Sequence, residues 1–320
     1  MQVTIADVLR ARMLLKRYLP PTPMWSYPVL DEVAGARLRV KHENVQPTGA
    51  FKVRGGLTLL AGMPADERER GVVTWSTGNH AQSIAYAAQL FGVRCVVVMP
   101  EHASEVKVRA VLGYGATVAL HGADLTEARE YGGKLADAEG MRPVSPAGDM
   151  ALLAGVGTAY LEVFSAAPDL DLLVVPVGSG TGAAAACVVA AALAPGCRIV
   201  GVQSAASPAG YESWRAGTCL SRPNRTMVDG LATGEGYPLP QSVMRTGLSD
   251  FLLVTDEQID DARRVLAIYA HTLAEGAGAA ALAAVLTHPQ QFAGRRVGVM
   301  CTGGNASAAE IAALAPAGIG

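Results

Sequence analysis

Lys52 stands in Thr48-Gly49-Ala50-Phe51-Lys52-Val53-Arg54-Gly55-Gly56, with small residues on both sides and no charged partner three or four positions away. A partly desolvated lysine loses its proton more readily, and the neutral amine can condense with a carbonyl to a Schiff base. One lysine is no motif, and the same residues also read as a surface lysine at a loop-to-helix junction. Three further stretches offer binding chemistry. Ser76-Thr77-Gly78-Asn79-His80 lies between an apolar run and a helical pattern. Its amides and hydroxyls therefore sit at a helix N-terminus, which favours an anion such as a carboxylate. An ordinary N-cap reads the same way.

Gly178-Ser179-Gly180-Thr181-Gly182 follows the apolar run ending at Val177 and opens an alanine-rich helix. Backbone amides in that setting cradle a phosphate. A dinucleotide loop would look similar, but its spacing is Gly-x-Gly-x-x-Gly and this one is Gly-x-Gly-x-Gly in mid-chain. Cys301-Thr302-Gly303-Gly304-Asn305 reads by itself as a tight turn before another helix.

Alternating strands and helices must position these loops. A helix is expected over residues 5–18, ended by Pro20-Pro21-Thr22-Pro23, and a half-buried strand over 38–43. Strands at 72–75, 95–99 and 117–120 lead into helices at about 80–91, 104–112 and 125–138. Further strands are expected at 172–177, 199–202, 251–254 and 297–300, with helices starting near Gly182 and Asp256. This alternation predicts an α/β protein with parallel sheets covered on both faces. Residues 208–241, rich in glycine and proline, read as a functional loop.

Bulk properties narrow the partners. The 320 residues suffice for one or two cores, and 26 basic against 28 acidic residues are mixed along the chain. That balance gives no footprint for nucleic acid or an anionic membrane. Five scattered cysteines suggest a reduced, cytoplasmic protein. Asp7, Arg10 and Arg12 interrupt any leader core, and no apolar run is long enough to span a bilayer.

Glu43, Gln46, Thr48, Gly49, Phe51, Lys52, Arg54 and Gly55 together resemble the Schiff-base segment Glu-x-x-Gln-x-Thr-Gly-Ser-Phe-Lys-x-Arg-Gly of the fold-type-II pyridoxal-phosphate enzymes. The resemblance is to their threonine/serine dehydratase (ammonia-lyase) and serine racemase branch, with Ala50 in place of the usual serine. It implies a tryptophan synthase β-like fold: two open, twisted, mostly parallel sheets, with a small mobile domain at 72–148 and a large pyridoxal-phosphate domain at 1–71 and 149–320. It further implies that Lys52 carries pyridoxal 5'-phosphate and then acts as general base. Ser76, Thr77, Gly78, Asn79 and His80 would hold the substrate, with Asn79 also on the cofactor and His80 supporting the loop. Phe51, Gly178, Ser179, Gly180, Thr181, Gly182, Gly230, Glu275 and Thr302 would line the cofactor. Thr302 falls where the family faces the pyridine nitrogen with Ser, Thr or Cys, a pairing that favours β-elimination over transamination.

Thr77 occupies the position where racemases place their second acid/base. The reaction implied is dehydration and deamination of a β-hydroxy amino acid such as L-threonine or L-serine to a 2-oxo acid and ammonia. The alternatives are a serine-type racemase or a dehydratase of a bulkier β-hydroxy amino acid. Cysteine- and threonine-synthase chemistry is disfavoured by His80, where those enzymes usually have Thr or Ser. Gln203 replaces an acidic cation ligand of some relatives, so no metal is expected there. A homodimer without a C-terminal regulatory domain completes the expectation.

Overall fold

The computed structural model describes residues 3–315. Ten strands occur in chain order: β1 (Met24–Trp25), β2 (Arg37–His42), β3 (Val72–Trp75), β4 (Cys95–Met99), β5 (Thr117–Leu120), β6 (Arg142–Val144), β7 (Leu172–Pro176), β8 (Arg198–Ser204), β9 (Asp250–Val254) and β10 (Arg296–Cys301). They form two sheets, ordered β5-β4-β3-β6 and β1-β2-β10-β7-β8-β9. Every pairing is parallel except that of β1 with β2.

The chain packs as two compact units. The first takes Met1–Leu19 and Lys52–Thr158 and contains the four-stranded sheet. Residues 72–148, the expected small domain, lie wholly inside it. The residues added to it are recruited by helix packing. The Val53–Ala61 helix lies so close to the Asn79–Phe91 helix that a Cβ on Gly56 would stand 2.5 Å from the Ser83 carbonyl oxygen. On another face, a Cβ on Gly155 of the Met150–Ala166 helix would stand 2.4 Å from the Arg54 carbonyl oxygen. Gly55 and Gly56 thus lie inside a helix and serve its close packing. Leu57, Leu60, Ile84, Val97 and Leu152 belong to the core that results.

The second unit takes Pro20–Phe51 and Ala159–Gly320 and contains the six-stranded sheet. The Gly276–Thr287 helix is buried from Gly276 through Val285, a span made mostly of glycine and alanine. Its alanines pack with Val174, Val200, Val297 and Val299 of the strands. Beneath β1 and β2 lies a buried ionic cluster. Lys41 Nζ donates to Glu162 Oε2 (2.5 Å) and the Thr22 carbonyl (2.7 Å), and Thr22 Oγ1 donates to Glu43 Oε1 (2.5 Å). The stretch 208–241 is more regular than expected, with helices at Ala209–Ala216 and, from within it, Pro238–Gly247. Glycines at both ends of the first helix and prolines at the start of the second had obscured their periods. Among the described residues no helix is long and apolar enough to cross a membrane.

Candidate active site

In the first unit, Lys52 is the residue from which the Val53–Ala61 helix starts. Its side chain is partly buried, and desolvation lowers its pKa from the ordinary 10.5 to about 8. The Ser76–Gly78 turn leaves the C-terminal end of β3 and delivers Asn79 and His80 into the first turn of the Asn79–Phe91 helix. Ser76 Oγ accepts from the Gly78 amide (3.2 Å), closing the turn on itself. Gly78 has no atom within 4 Å of where a Cβ would be.

His80 is buried and its pKa falls to about 3, first through desolvation and then through the charge on Lys52. The imidazole is therefore neutral. Thr74 Oγ1 donates to the Val144 carbonyl (2.7 Å), so His80 Nε2, 3.0 Å from that oxygen, acts as the donor. This chain of bonds ties the ring to the sheet. Arg54 is also buried and donates to Thr158 Oγ1 (3.1 Å), linking the helix after Lys52 to the Met150–Ala166 helix.

In the second unit, Gly178–Gly180 joins β7 to the Thr181–Leu193 helix. A Cβ on Gly178 would stand 2.2 Å from the Gly230 carbonyl oxygen. Gly180 caps the helix at φ +88°, which glycine adopts without strain, and a Cβ there would lie 2.9 Å from both Pro240 and Met244. Phe51 and the Tyr160 hydroxyl wall the next position: a Cβ on Gly182 would meet the hydroxyl at 3.1 Å and the Phe51 ring at 3.3 Å. Ser179 and Thr181 complete the loop, with Thr181 buried.

The turn after β10 packs against the residues that precede Lys52. The Phe51 amide donates to the Thr302 carbonyl (3.0 Å), and Asn305 Nδ2 donates to the Thr48 carbonyl (2.8 Å). Gly49, at φ +68°, admits that asparagine; a Cβ there would collide with Asn305 Oδ1 at 2.4 Å. Thr302 is buried and its hydroxyl donates to the Ala277 carbonyl (3.2 Å). Glu275 is buried rather than solvated and caps the Gly276–Thr287 helix, its amide donating to the Gly303 carbonyl (3.1 Å). The second unit thus brings Phe51, Thr302 and Glu275 together, and likewise Gly178 and Gly230. The first unit brings Lys52 near His80. Sequence reasoning passed over Tyr160, whose position in a mostly apolar helical run carried no signal.

Each unit offers groups that suit a phosphorylated aldehyde. The first has an amine that is partly neutral near pH 8, and the second a glycine cradle that any Cβ would fill and a buried hydroxyl after β10. A family model described as pyridoxal-phosphate dependent enzyme matches residues 15–303. The chain belongs to the pyridoxal-phosphate dependent enzyme family. Its members therefore supply the cofactor, pyridoxal phosphate, and the fold, type II. Among its relatives, an L-threonine ammonia-lyase of Thermotoga maritima is 35% identical, with 95% of this chain and 76% of the relative covered. An L-threo-3-hydroxyaspartate ammonia-lyase of Saccharomyces cerevisiae is 32% identical, with 97% and 96% covered. The serine racemase structure of Dictyostelium discoideum superposes with a TM-score of 0.89 at 31% identity, covering 95% of this chain and 99% of that one. The relatives thus include both ammonia-lyases and a serine racemase.

Proposed function

We propose that the chain is an ammonia-lyase that dehydrates and deaminates a β-hydroxy amino acid, with L-threonine and L-serine as the first candidates. The observation that carries the reading is Lys52, a partly buried lysine whose amine titrates near pH 8 in the same unit as an amide-rich turn. When bound, pyridoxal phosphate supplies an electron sink that acidifies the substrate α-proton. Lys52 would hold the cofactor, and its Nζ, partly neutral near pH 8, would be the group that takes the substrate α-proton. The Ser76–Gly78 turn, with the Asn79 amide at the start of its helix, binds the substrate carboxylate. Neutral His80 keeps that turn in place through Thr74 and adds no charge of its own.

The Gly178–Gly182 amides would hold the cofactor phosphate, with Phe51 and Gly230 as walls, and Thr302 would offer the cofactor a hydroxyl without the charge of a carboxylate. Glu275, beside Gly303, would line the same site. Loss of the β-hydroxyl as water, then addition of water and release of ammonia, balances the reaction to a 2-oxo acid. A second reading, racemisation, rests on Thr77, whose hydroxyl could return a proton to the opposite face. We further propose a cytoplasmic homodimer.

The test is an absorption spectrum of purified protein with pyridoxal phosphate, followed by L-threonine, L-serine and L-threo-3-hydroxyaspartate with detection of 2-oxo acid. A visible band lost in Lys52→Ala, with 2-oxo acid from one of the three, is the expected result. A band without 2-oxo acid but with appearance of a D-amino acid favours the racemase. No band at any cofactor concentration overturns the reading.

A further inference from the structure

We propose that Asp256 is a positioning residue for the cofactor: it anchors the segment 226–231 against the glycine loop that follows β7. This rests on the cofactor reading above. Asp256 is the first residue of the Asp256–Tyr269 helix, where an acidic side chain ordinarily serves the helix end. Here that end is already served. Thr255 Oγ1 accepts from the Gln258 amide (3.2 Å), and Gln258 Oε1 accepts from the Thr255 amide (2.8 Å), a complete capping box.

Both Asp256 oxygens are turned instead to other segments. Oδ1 accepts from Thr226 Oγ1 (2.7 Å) and Ser204 Oγ (2.6 Å), and Oδ2 accepts from the Met227 amide (2.8 Å). The Val228 amide then donates to Thr226 Oγ1 (3.2 Å), so the carboxylate fixes the start of the segment through two consecutive residues. Three residues on, the short turn Asp229–Leu231 presents the Gly230 carbonyl so close to Gly178 that no side chain fits there.

The far end is held too. Thr233 Oγ1 donates to the Gly178 carbonyl (3.3 Å), and Ser207 Oγ donates to the Thr233 carbonyl (2.9 Å). Segment 226–233 is therefore a strap across the first residue of the anion-binding loop, and Asp256 is its charged fastening. Val228 and Leu231 are buried in the core, whereas Met227 is 86% exposed and Asp229 and Gly230 are exposed, so packing grips alternate residues of the strap. Hydrogen bonds to a charged acceptor fix its start, where Met227 has no packing of its own.

Asp256→Asn keeps one oxygen for Thr226 and Ser204 but turns an amide nitrogen toward the Met227 N–H. Losing one charge-assisted bond and leaving that donor unmet is expected to weaken the cofactor by roughly tenfold. The experiment compares wild type, Asp256→Asn and Thr255→Ala by two readouts: the dissociation constant of pyridoxal phosphate from apoprotein titration, and amide hydrogen exchange over residues 226–231. Asp256→Asn should raise the constant about tenfold, accelerate exchange in that segment and recover kcat to within about twofold at saturating cofactor. Thr255→Ala should lower the melting temperature and change neither readout. A double-mutant cycle with Thr226→Val should show coupling.

The proposal is overturned if Asp256→Asn matches Thr255→Ala in both readouts. If wild type takes up no pyridoxal phosphate, the cofactor reading fails, and exchange over 226–231 alone decides whether Asp256 fastens the strap.

Discussion

The lowered pKa of Lys52 gives a rate prediction. An amine attacks a carbonyl only when neutral, so covalent uptake of pyridoxal phosphate by the apoprotein should follow the neutral fraction of Lys52. At pH 7 a lysine titrating at 10.5 is neutral about 0.03% of the time, and one titrating at about 8 is neutral about 9% of the time, a gain of roughly 300-fold. Stopped-flow absorbance from pH 6.5 to 10.5 would measure the uptake rate, with Lys52→Ala as background and a simple alkylamine as reference for the cofactor's own titrations. The ratio of protein to alkylamine rates should be largest near neutrality and fall as pH rises through about 8, where Lys52 is already neutral and the alkylamine is still losing protons. Stability carries the same signature. Between about pH 8 and the ordinary lysine value the unfolded chain holds a proton that the folded chain has released, so apoprotein stability should rise with pH across that window and the rise should vanish in Lys52→Met. A protein rate that climbs in parallel with the alkylamine past pH 9.5 would refute the desolvation argument.

Four further outcomes are expected. Gly178→Ala places a Cβ 2.2 Å from the Gly230 oxygen and should abolish cofactor uptake, whereas Gly133→Ala, in the Leu125–Glu139 helix with nothing within 4 Å, should stabilise by about 0.5–1 kcal/mol in urea unfolding. Lys41→Met removes a buried cation that contacts buried Glu43 and half-buried Glu162 and should cost about 3–5 kcal/mol, partly restored by Glu162→Gln. His42 is pushed down to about 4 and His80 to about 3, chiefly by burial, so the unfolded state binds more protons between those values and 6.5. Stability should fall as pH drops through 6.5, by about 2 kcal/mol per histidine at pH 5, and chemical denaturation of His80→Gln should show a shallower fall. Thr77→Ala should leave 2-oxo acid formation within about tenfold of wild type while removing D-amino acid formation if Thr77 supplies the second proton, read by chiral chromatography.

Strands and the helices between them were well legible where side-chain period and length agreed. Val72–Trp75, Cys95–Met99 and Thr117–Leu120 fall where their apolar runs place them, and the Asn79–Phe91 helix starts within one residue of expectation. β6 escaped because it has only three residues, with Pro143 in the middle. The Met150–Ala166 helix escaped because its apolar residues run all round, leaving no stripe to read. The site was legible where a loop motif is local, as at Gly178–Gly182. It was not legible where a residue acts from a distant part of the chain. Asp256 looked like a helix-start acid until Thr226, 30 residues earlier, was found on its carboxylate. Nothing near Glu275 in the sequence shows that its burial depends on Gly303, whose missing Cβ leaves room for the carboxylate.

β2 lies between β1 and β10 in its sheet, and its residues Arg37–His42 pair with Arg296–Cys301. A nascent chain emerging at about 5–20 residues per second must therefore keep β2 without its parallel neighbour for roughly 13–50 seconds. The first unit needs nothing beyond Thr158 and can close early in synthesis, while the second waits almost to the end. During that wait Leu38 and Val40, both fully buried in the finished sheet, are open to chaperones and to other nascent chains. Yield in a cell should thus depend on translation speed over residues 159–301 more than on the thermodynamic stability of the finished enzyme.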